Sequence, residues 1–104
     1  MIARIAFSDP VDADTAEVRR ENLVKRFKPA LAEQPGLLGG YWMVDEDGRH
    51  ISMTVWESRQ AMEAGGRVAS ATPLLPGHRP DQLPSPRVQV YEVWERLDAA
   101  EPQR

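Results

Sequence analysis

The sequence predicts a single α+β domain with the element order β-α-β-β-α-β, in which one antiparallel sheet carries two helices on one face. Three observations predict this fold. Four short segments are rich in apolar residues and bounded by turn residues, as strands are, and two other segments space apolar residues as a helix does. A turn centred on Gly48 joins the second and third strand segments, which makes them a hairpin. The 104 residues are enough for one such domain.

The first strand and the first helix occupy the start of the chain. The first strand covers residues 1–8, where Met1, Ala3, Ile5 and Phe7 alternate with Ile2, Arg4 and Ala6, and Asp9 and Pro10 close it. Asp14 and Glu17 have the spacing of a capping box, so we expect Asp14 to be the N-cap and Glu17 the N3 residue. The helical spacing continues to about residue 33, before the Pro-Gly pair at 35–36 ends the helix.

The hairpin comprises a strand at about 37–44 and a strand at about 50–56. The intervening loop suits a three-residue turn in which Gly48 takes the left-handed conformation. If Asp45 and Arg49 flank this loop, the register of the hairpin follows. It then pairs Met43 with Ile51, Tyr41 with Met53, and Trp42 with Ser52.

The second helix begins after Ser58, its expected N-cap, and Pro73 stops it. The pair Gly65-Gly66 is expected to weaken this helix. The last strand is predicted over about 87–97. The domain therefore covers residues 1–97, and residues 98–104 form a C-terminal tail.

Residues 72–86 between the second helix and the last strand include five prolines, so they form neither a regular helix nor an inner strand. Long loops within compact domains are often functional. Two interpretations remain open: a stiff connector that lies over the subunit, or a lid at the rim of a pocket.

Composition excludes several classes of function. The net charge is −3 and the basic residues are dispersed, so we expect no nucleic-acid partner. The densest basic group lies on the first helix beside several glutamates, and we predict that it forms a solvated, charge-mixed face. This group contains Arg19, Arg20, Lys25, Arg26 and Lys28.

No residue pattern predicts a metal site or a membrane segment. The chain has no cysteine, and its two histidines, His50 and His78, lie far apart in the sequence. No serine has the surroundings of a nucleophile elbow. There is neither a signal-peptide pattern nor an apolar run long enough to span a bilayer, so we predict a cytoplasmic protein with no membrane partner.

Both faces of the predicted sheet are apolar, although a sheet with one face in water should alternate between apolar and polar residues. On the two middle strands, one face would carry Tyr41, Met43, Ile51, Met53 and Val55, and the other Trp42, Val44, Thr54 and Trp56. Exposure of such a face on a monomer would leave a large apolar patch. We therefore predict a homodimer in which a second subunit covers the open face of the sheet.

Two short motifs carry a resemblance to a known family. These are the Pro-Gly-Leu-Leu-Gly segment at 35–39 and the Trp-Glu-Ser segment at 56–58, and they lie in the predicted element order. The chain resembles the antibiotic-biosynthesis-monooxygenase family of dimeric α+β barrels, which implies a ferredoxin-like fold. The resemblance implies an oxygenase that needs no cofactor and acts on a small aromatic or polyketide-like substrate.

The resemblance also points to individual positions. Trp56 matches the tryptophan of the cofactor-free branch, whereas Ser52 and Met62 replace the asparagine and tyrosine expected there. The Gly-His-Arg segment at 77–79 resembles the haem-degrading branch. However, Phe7, Gly66 and Leu75 stand where that branch has asparagine, tryptophan and histidine, and leucine cannot ligate iron. We therefore predict no haem and no other cofactor.

The candidate site is an apolar pocket between the helices and the sheet. Its expected lining is Phe7, Phe27, Tyr41, Met43, Met53 and Met62, with His78 and Arg79 at the mouth. His78 is the candidate general base because an ordinary histidine titrates near neutral pH. Trp56 would help to position an aromatic substrate. Two alternatives remain open: a non-catalytic binder of a small apolar ligand, and a structural or regulatory dimer that binds no ligand.

Overall fold

The computed structural model describes residues 1–100 and has four strands and two helical stretches. The elements are β1 (Ile2–Ser8), α1 (Ala13–Asn22), a π-helical segment (Leu23–Phe27), α2 (Lys28–Ala32), β2 (Leu37–Val44), β3 (His50–Trp56), α3 (Arg59–Ser70), a short 3-10 helix (Pro80–Gln82) and β4 (Arg87–Glu92). Because α1, the π-helical segment and α2 follow one another without a break, they together form the first predicted helix. The element order β-α-β-β-α-β is confirmed.

The four strands form one antiparallel sheet in the order β2-β3-β1-β4. The predicted hairpin register is confirmed, since Tyr41 lies opposite Met53. In the turn, Gly48 has a φ of 82°, and the amide of Asp45 donates to the carbonyl oxygen of Arg49 over 3.0 Å. A side chain there would strain the backbone, which explains the glycine. This topology is the ferredoxin-like fold.

The helices cover one face of the sheet and form the core with it. The buried residues at the centre of this core are Leu31, Trp56, Met62 and Ala69. Trp56, at the end of β3, is 1% exposed and is the largest fully buried side chain among the described residues. The core therefore depends on one indole ring that the sheet presents to both helical stretches.

The packing of α3 against Trp56 explains one of the two adjacent glycines in this helix. A Cβ atom on Gly65 would lie 2.6 Å from two ring carbons of Trp56, whereas the same atom on Gly66 would meet nothing within 4 Å. The helix runs through both residues to Ser70, beginning after Ser58, whose Oγ accepts from the amide of Ala61 over 3.1 Å. Gly65 thus allows the helix to approach the ring closely.

Two predicted boundaries are wrong. The N-cap of α1 is Asp12 rather than Asp14, because Asp12 is extended and its carboxylate accepts from the amide of Thr15 over 2.7 Å. Strand β4 ends at Glu92 instead of near residue 97. Its neighbour β1 begins at residue 2, and the last bond joins the amide of Val93 to the carbonyl oxygen of Met1 over 2.9 Å, so β1 offers no partner farther on.

The chain beyond β4 consequently lies away from the sheet. Trp94 and Leu97 are 93% and 95% exposed. The predicted tail begins at 98, and its last four residues fall outside the described residues. In residues 1–100, no helix combines the length and apolar character needed to cross a bilayer.

Candidate functional site

A cleft of about 310 Å³ opens between the two helical stretches and the sheet. Its walls combine aromatic rings with charged and hydroxyl-bearing side chains. The lining residues are Arg4, Phe27, Leu31, Trp42, Ser52, Thr54, Trp56, Met62, Glu63, Gly66, Arg67 and Ser70. A cleft of this size lies at the lower end of the range of small-molecule pockets.

The sheet forms the floor of the cleft with side chains that lie two residues apart along each strand and therefore share one face. Ser52, Thr54 and Trp56 alternate along β3, so all three face the helices. The registers place Trp42 of β2 opposite Ser52 and Arg4 of β1 opposite Thr54. Polar and aromatic groups therefore lie side by side across three strands.

Trp56 is held in one orientation at the deep end of the cleft. Its Nε1 donates to Oγ1 of Thr54 over 3.0 Å, and both residues are buried. Gly65 lies against the other side of the ring. Because its polar atom is satisfied and its ring is packed, Trp56 is fixed in one orientation at the buried end of the cleft.

The cleft has an uneven distribution of charge. Arg4 is half-buried on the sheet, and burial lowers the pKa of its guanidinium. Glu63 and Arg67 come from α3 and are exposed at the rim. Sequence reasoning missed Arg4. The available signal was a single arginine in the middle of an otherwise apolar strand.

The structure brings only three of the predicted site residues into the cleft: Phe27, Trp56 and Met62. The registers place four others on the opposite face of the sheet: Phe7, Tyr41, Met43 and Met53. Their predicted position between helices and sheet is wrong. Apolar residues occur at both the odd-numbered and the even-numbered positions of these strands. Periodicity alone therefore could not show which of the two faces packs against the helices.

The predicted solvated face of the first helix is also wrong at one position, because Arg26 is buried. Its guanidinium donates to the carbonyl oxygens of Ser70, Thr72 and Pro73 at distances of 2.7–3.2 Å. Those carbonyls lie at the end of α3 and the start of the following loop. Arg26 thus satisfies helix-terminal acceptors that would otherwise lack partners.

The proline-rich loop lies against α1 and makes contacts that favour the connector over the lid. The side chain of His78 is 8% exposed, and its Nε2 lies 3.8 Å from a carboxylate oxygen of Glu21. Nε of Arg19 donates to the carbonyl oxygen of Gln82 over 3.1 Å. Arg79 pairs with Asp81 at the surface. Neither His78 nor Arg79 lines the cleft.

The part of the chain that the structure describes has no cluster of potential metal ligands. No group of three or more His, Asp and Glu residues there could hold an ion. The cleft also offers no histidine to an iron porphyrin, because His78 packs against α1. The lining therefore does not fit haem ligated by histidine.

Several solved structures have the same fold as this chain over nearly its whole length. A monooxygenase of Streptomyces coelicolor from the gene ActVA-Orf6, in complex with nanaomycin D, is 17% identical with a TM-score of 0.64, covering 95% of this chain and 92% of that one. The cofactor-independent oxygenase SnoaB of Streptomyces nogalater is 19% identical with a TM-score of 0.65, covering 94% and 97%. The haem degrader MhuD of Mycobacterium tuberculosis is 23% identical with a TM-score of 0.65, covering 94% and 100%.

Sequence comparisons point to the same family. A comparison with curated proteins gives no significant match. The family model described as antibiotic biosynthesis monooxygenase matches residues 1–64, a segment that includes β1, the first helical stretch, the hairpin and the start of α3. It therefore contains most of the cleft floor and Trp56. The chain belongs to the antibiotic biosynthesis monooxygenase family.

Proposed function

We propose that the protein binds a small aromatic substrate in the cleft and oxygenates it with dioxygen, without a cofactor. The observation that carries this proposal is the cleft itself, in which Trp56 is fixed and Trp42 and Phe27 supply further aromatic surface. Membership in the antibiotic biosynthesis monooxygenase family supports this reaction class. Phenolic and anthrone-like compounds suit this cleft because their rings can stack on its walls.

The reaction we propose begins with removal of a proton from the substrate. The resulting carbanion transfers one electron to dioxygen, and the carbon radical and superoxide combine to form a carbon–oxygen bond. Protonation of the peroxide anion gives a hydroperoxide, and loss of water from it leaves a carbonyl on the substrate. The protein must orient the substrate and stabilise negative charge. Ser52 and Ser70 lie on the walls with hydroxyls that can orient polar groups of the substrate.

Glu63 is the proton acceptor that we propose. Its carboxylate lies on the cleft rim, whereas His78, the candidate from the sequence, packs against α1 beside Glu21. A general base must come within hydrogen-bond reach of the proton it removes. The position of Glu63 meets this requirement more directly.

Oxygen consumption with anthrone and with a naphthoquinol tests the reaction and its base. We expect Glu63→Gln to lower the rate about 100-fold or more, the usual scale for a lost general base, and His78→Ala to leave it within about threefold. The reverse result would assign the proton transfer to His78. Equal rates in both variants and the wild type would exclude both side chains.

The second candidate function is binding without catalysis. Ser52 lines the cleft and Met62 lies at its buried side, at the two positions where the catalytic branch of the family was expected to have asparagine and tyrosine. Absence of turnover on every such substrate, together with saturable binding of the same compounds, would establish this function.

We propose that the protein is a homodimer through the face of the sheet that the helices leave open. Several large apolar side chains on this face are exposed: Tyr41 at 65%, Met43 at 46% and Tyr91 at 47%. The second subunit would cover them with an interface larger than about 1,000 Å². Light scattering at micromolar concentration tests this, because a mass near the 11.7 kDa of one chain would contradict it.

We also propose that the protein works in the cytoplasm. The absence of cysteine makes its stability independent of the redox state of the compartment, and no described helix could anchor it in a bilayer. Fractionation of cells that produce the protein from its natural gene would test this location, and recovery in the membrane pellet or the medium would contradict it.

A further inference from the structure

Arg4 has an unusual position for a charged residue. It lies in the middle of β1, which has a neighbouring strand on each side, and faces the helices at the floor of the cleft. The register places it opposite Thr54 on one side and Val90 on the other. A long charged side chain at such a position usually extends to solvent or meets an acid.

No acid in the part of the chain that the structure describes balances this charge. Arg4 takes part in none of the salt bridges among the described residues, and burial lowers the pKa of its guanidinium. Glu63, the acidic residue of the cleft, lies on the rim. Partial burial of a cation without an acidic partner costs stability.

The cleft is positive although the chain is negative. Its lining has two arginines, Arg4 and Arg67, against one glutamate, while the whole chain carries a net charge of −3. Arg4 lies near the aromatic walls at the floor, and Arg67 is exposed at the rim. Of the two cations that line the cleft, the one on its floor is therefore also the one less exposed to water.

We infer that Arg4 is a specificity-determining residue that binds an anionic oxygen of the ligand, and that the ligands of this cleft are aromatic acids or aromatics that ionise on binding. This inference rests on the proposed aromatic-binding function of the same cleft. A carboxylate or enolate oxygen supplies the partner that the fold does not give to Arg4, and a planar guanidinium holds such an oxygen with directed hydrogen bonds.

Calorimetric titration with two probes of equal shape tests the inference. 2-Naphthoate is an anion at pH 7, and 2-naphthamide has the same rings and no charge. We expect the wild type to bind naphthoate at least about tenfold more tightly, since hydrogen bonds between charged groups are the strong ones. Arg4→Met should abolish this preference and leave the affinity for naphthamide within about twofold.

Two further variants make the result specific. Arg4→Lys keeps the charge and should retain part of the preference. Arg20→Met removes an exposed arginine of α1 that does not line the cleft, and should change neither affinity. Arg4→Met should also raise the melting temperature of the ligand-free protein, because it removes the partly buried charge.

The outcomes separate this inference from the proposed function. Equal affinity of the wild type for both probes, or an unchanged preference in Arg4→Met, would overturn the role of Arg4 and leave aromatic binding in place. Binding of neither probe would overturn both. Absence of oxygen consumption together with a charge preference that depends on Arg4 would overturn catalysis alone.

Discussion

The two faces of the sheet have similar apolar sequences and different surroundings. On the covered face, Trp56 is 1% exposed and Thr54 is 6% exposed. On the open face, Tyr41 is 65% exposed, although it belongs to the same hairpin. Apolar character in a strand therefore indicates that a face will be covered, and it leaves open whether a helix of the same chain or a second subunit covers it.

The faces also differ in where their polar groups lie. The covered face carries Arg4, Ser52 and Thr54 among its aromatic rings. On β1, β2 and β3 the open face has no polar residue except the phenol of Tyr41. Its members there are Ala3, Ile5, Phe7, Gly39, Tyr41, Met43, Ile51, Met53 and Val55. The helix-covered side therefore has the groups that we propose bind the ligand, and the open side has the apolar surface that we propose forms the dimer.

Of the changes considered, truncation of Trp56 on the covered face should have the largest effect on stability. We expect Trp56→Ala to lower the free energy of unfolding by about 3–5 kcal/mol, the usual range for a buried aromatic side chain. Urea denaturation at fixed protein concentration would measure it. Trp94→Ala is the matched control, because that ring is 93% exposed and its loss should cost less than about 0.5 kcal/mol. Equal losses would contradict the assigned burial.

A charge on the open face should break association while leaving the subunit folded. We expect Tyr41→Glu to weaken the proposed dimer by about 2–4 kcal/mol, as loss of an aromatic residue at an interface does. Light scattering over a dilution series would show the mass approach that of one chain. Glu46→Gln, in the exposed hairpin turn, is the control. Unchanged mass in Tyr41→Glu, with a native circular dichroism spectrum, would place the interface elsewhere.

The two adjacent glycines of α3 provide an internal test of packing on the covered face, because only Gly65 contacts that face. Gly65→Ala would place a Cβ atom 2.6 Å from the ring of Trp56, and we expect a loss of about 1–2 kcal/mol. Gly66→Ala meets nothing within 4 Å and should stabilise the helix by up to about 1 kcal/mol. Thermal denaturation of the two variants should therefore give shifts of opposite sign, and shifts of the same sign would refute this packing.

The smallest expected effect lies in the hairpin turn, away from both faces. Hydrogen bonds from the amides of Arg49 and Asp47 and the nearby guanidinium of Arg49 lower the pKa of Asp45 below 3.8. A lowered pKa in the folded state means that this stabilisation is complete well above pH 3.8 and is lost as the pH falls through the folded-state value.

We therefore expect Asp45→Asn to reduce stability slightly at pH 7 and to flatten the loss of stability between about pH 4 and pH 2. Thermal denaturation across that range would measure it. Asp47→Asn is the control, because it lies in the same turn and changes one charge there. An acid transition that is the same in Asp45→Asn and the wild type would exclude this carboxylate from the stability of the turn.

Local chemistry made the hairpin and the second helix predictable from sequence. Gly48 and its flanking residues specify one turn, and the turn specifies the register of two strands. Ser58 caps α3 as its sequence position indicates. At the start of α1, by contrast, the spacing of Asp14 and Glu17 predicted the wrong cap, and the extended backbone of Asp12 makes that residue the N-cap.

The candidate site was less predictable, because membership in it depends on how deeply a side chain is buried and on which face of the sheet it lies. Phe27, Trp56 and Met62 were identified from their apolar character and the family resemblance, whereas Phe7 and Tyr41 were assigned to the wrong face. A single arginine in an otherwise apolar strand was a signal for Arg4, but it did not show which face the side chain takes, and no pattern separated Arg26 from its exposed neighbours. Arg4 and Arg26 accordingly became visible only through the strands and helices around them.

By itself the sequence determined the order of the elements, the hairpin register and the need to cover two apolar faces. These depend on interactions between residues close in the chain, which backbone geometry and turn chemistry limit to few alternatives. Only the tertiary structure decided which face the helices occupy, that Arg26 ties the end of α3 to the first helix, and that Arg4 enters the cleft. These features depend on contacts between residues far apart in the chain, because the free energy of burial depends on how whole helices and strands pack together.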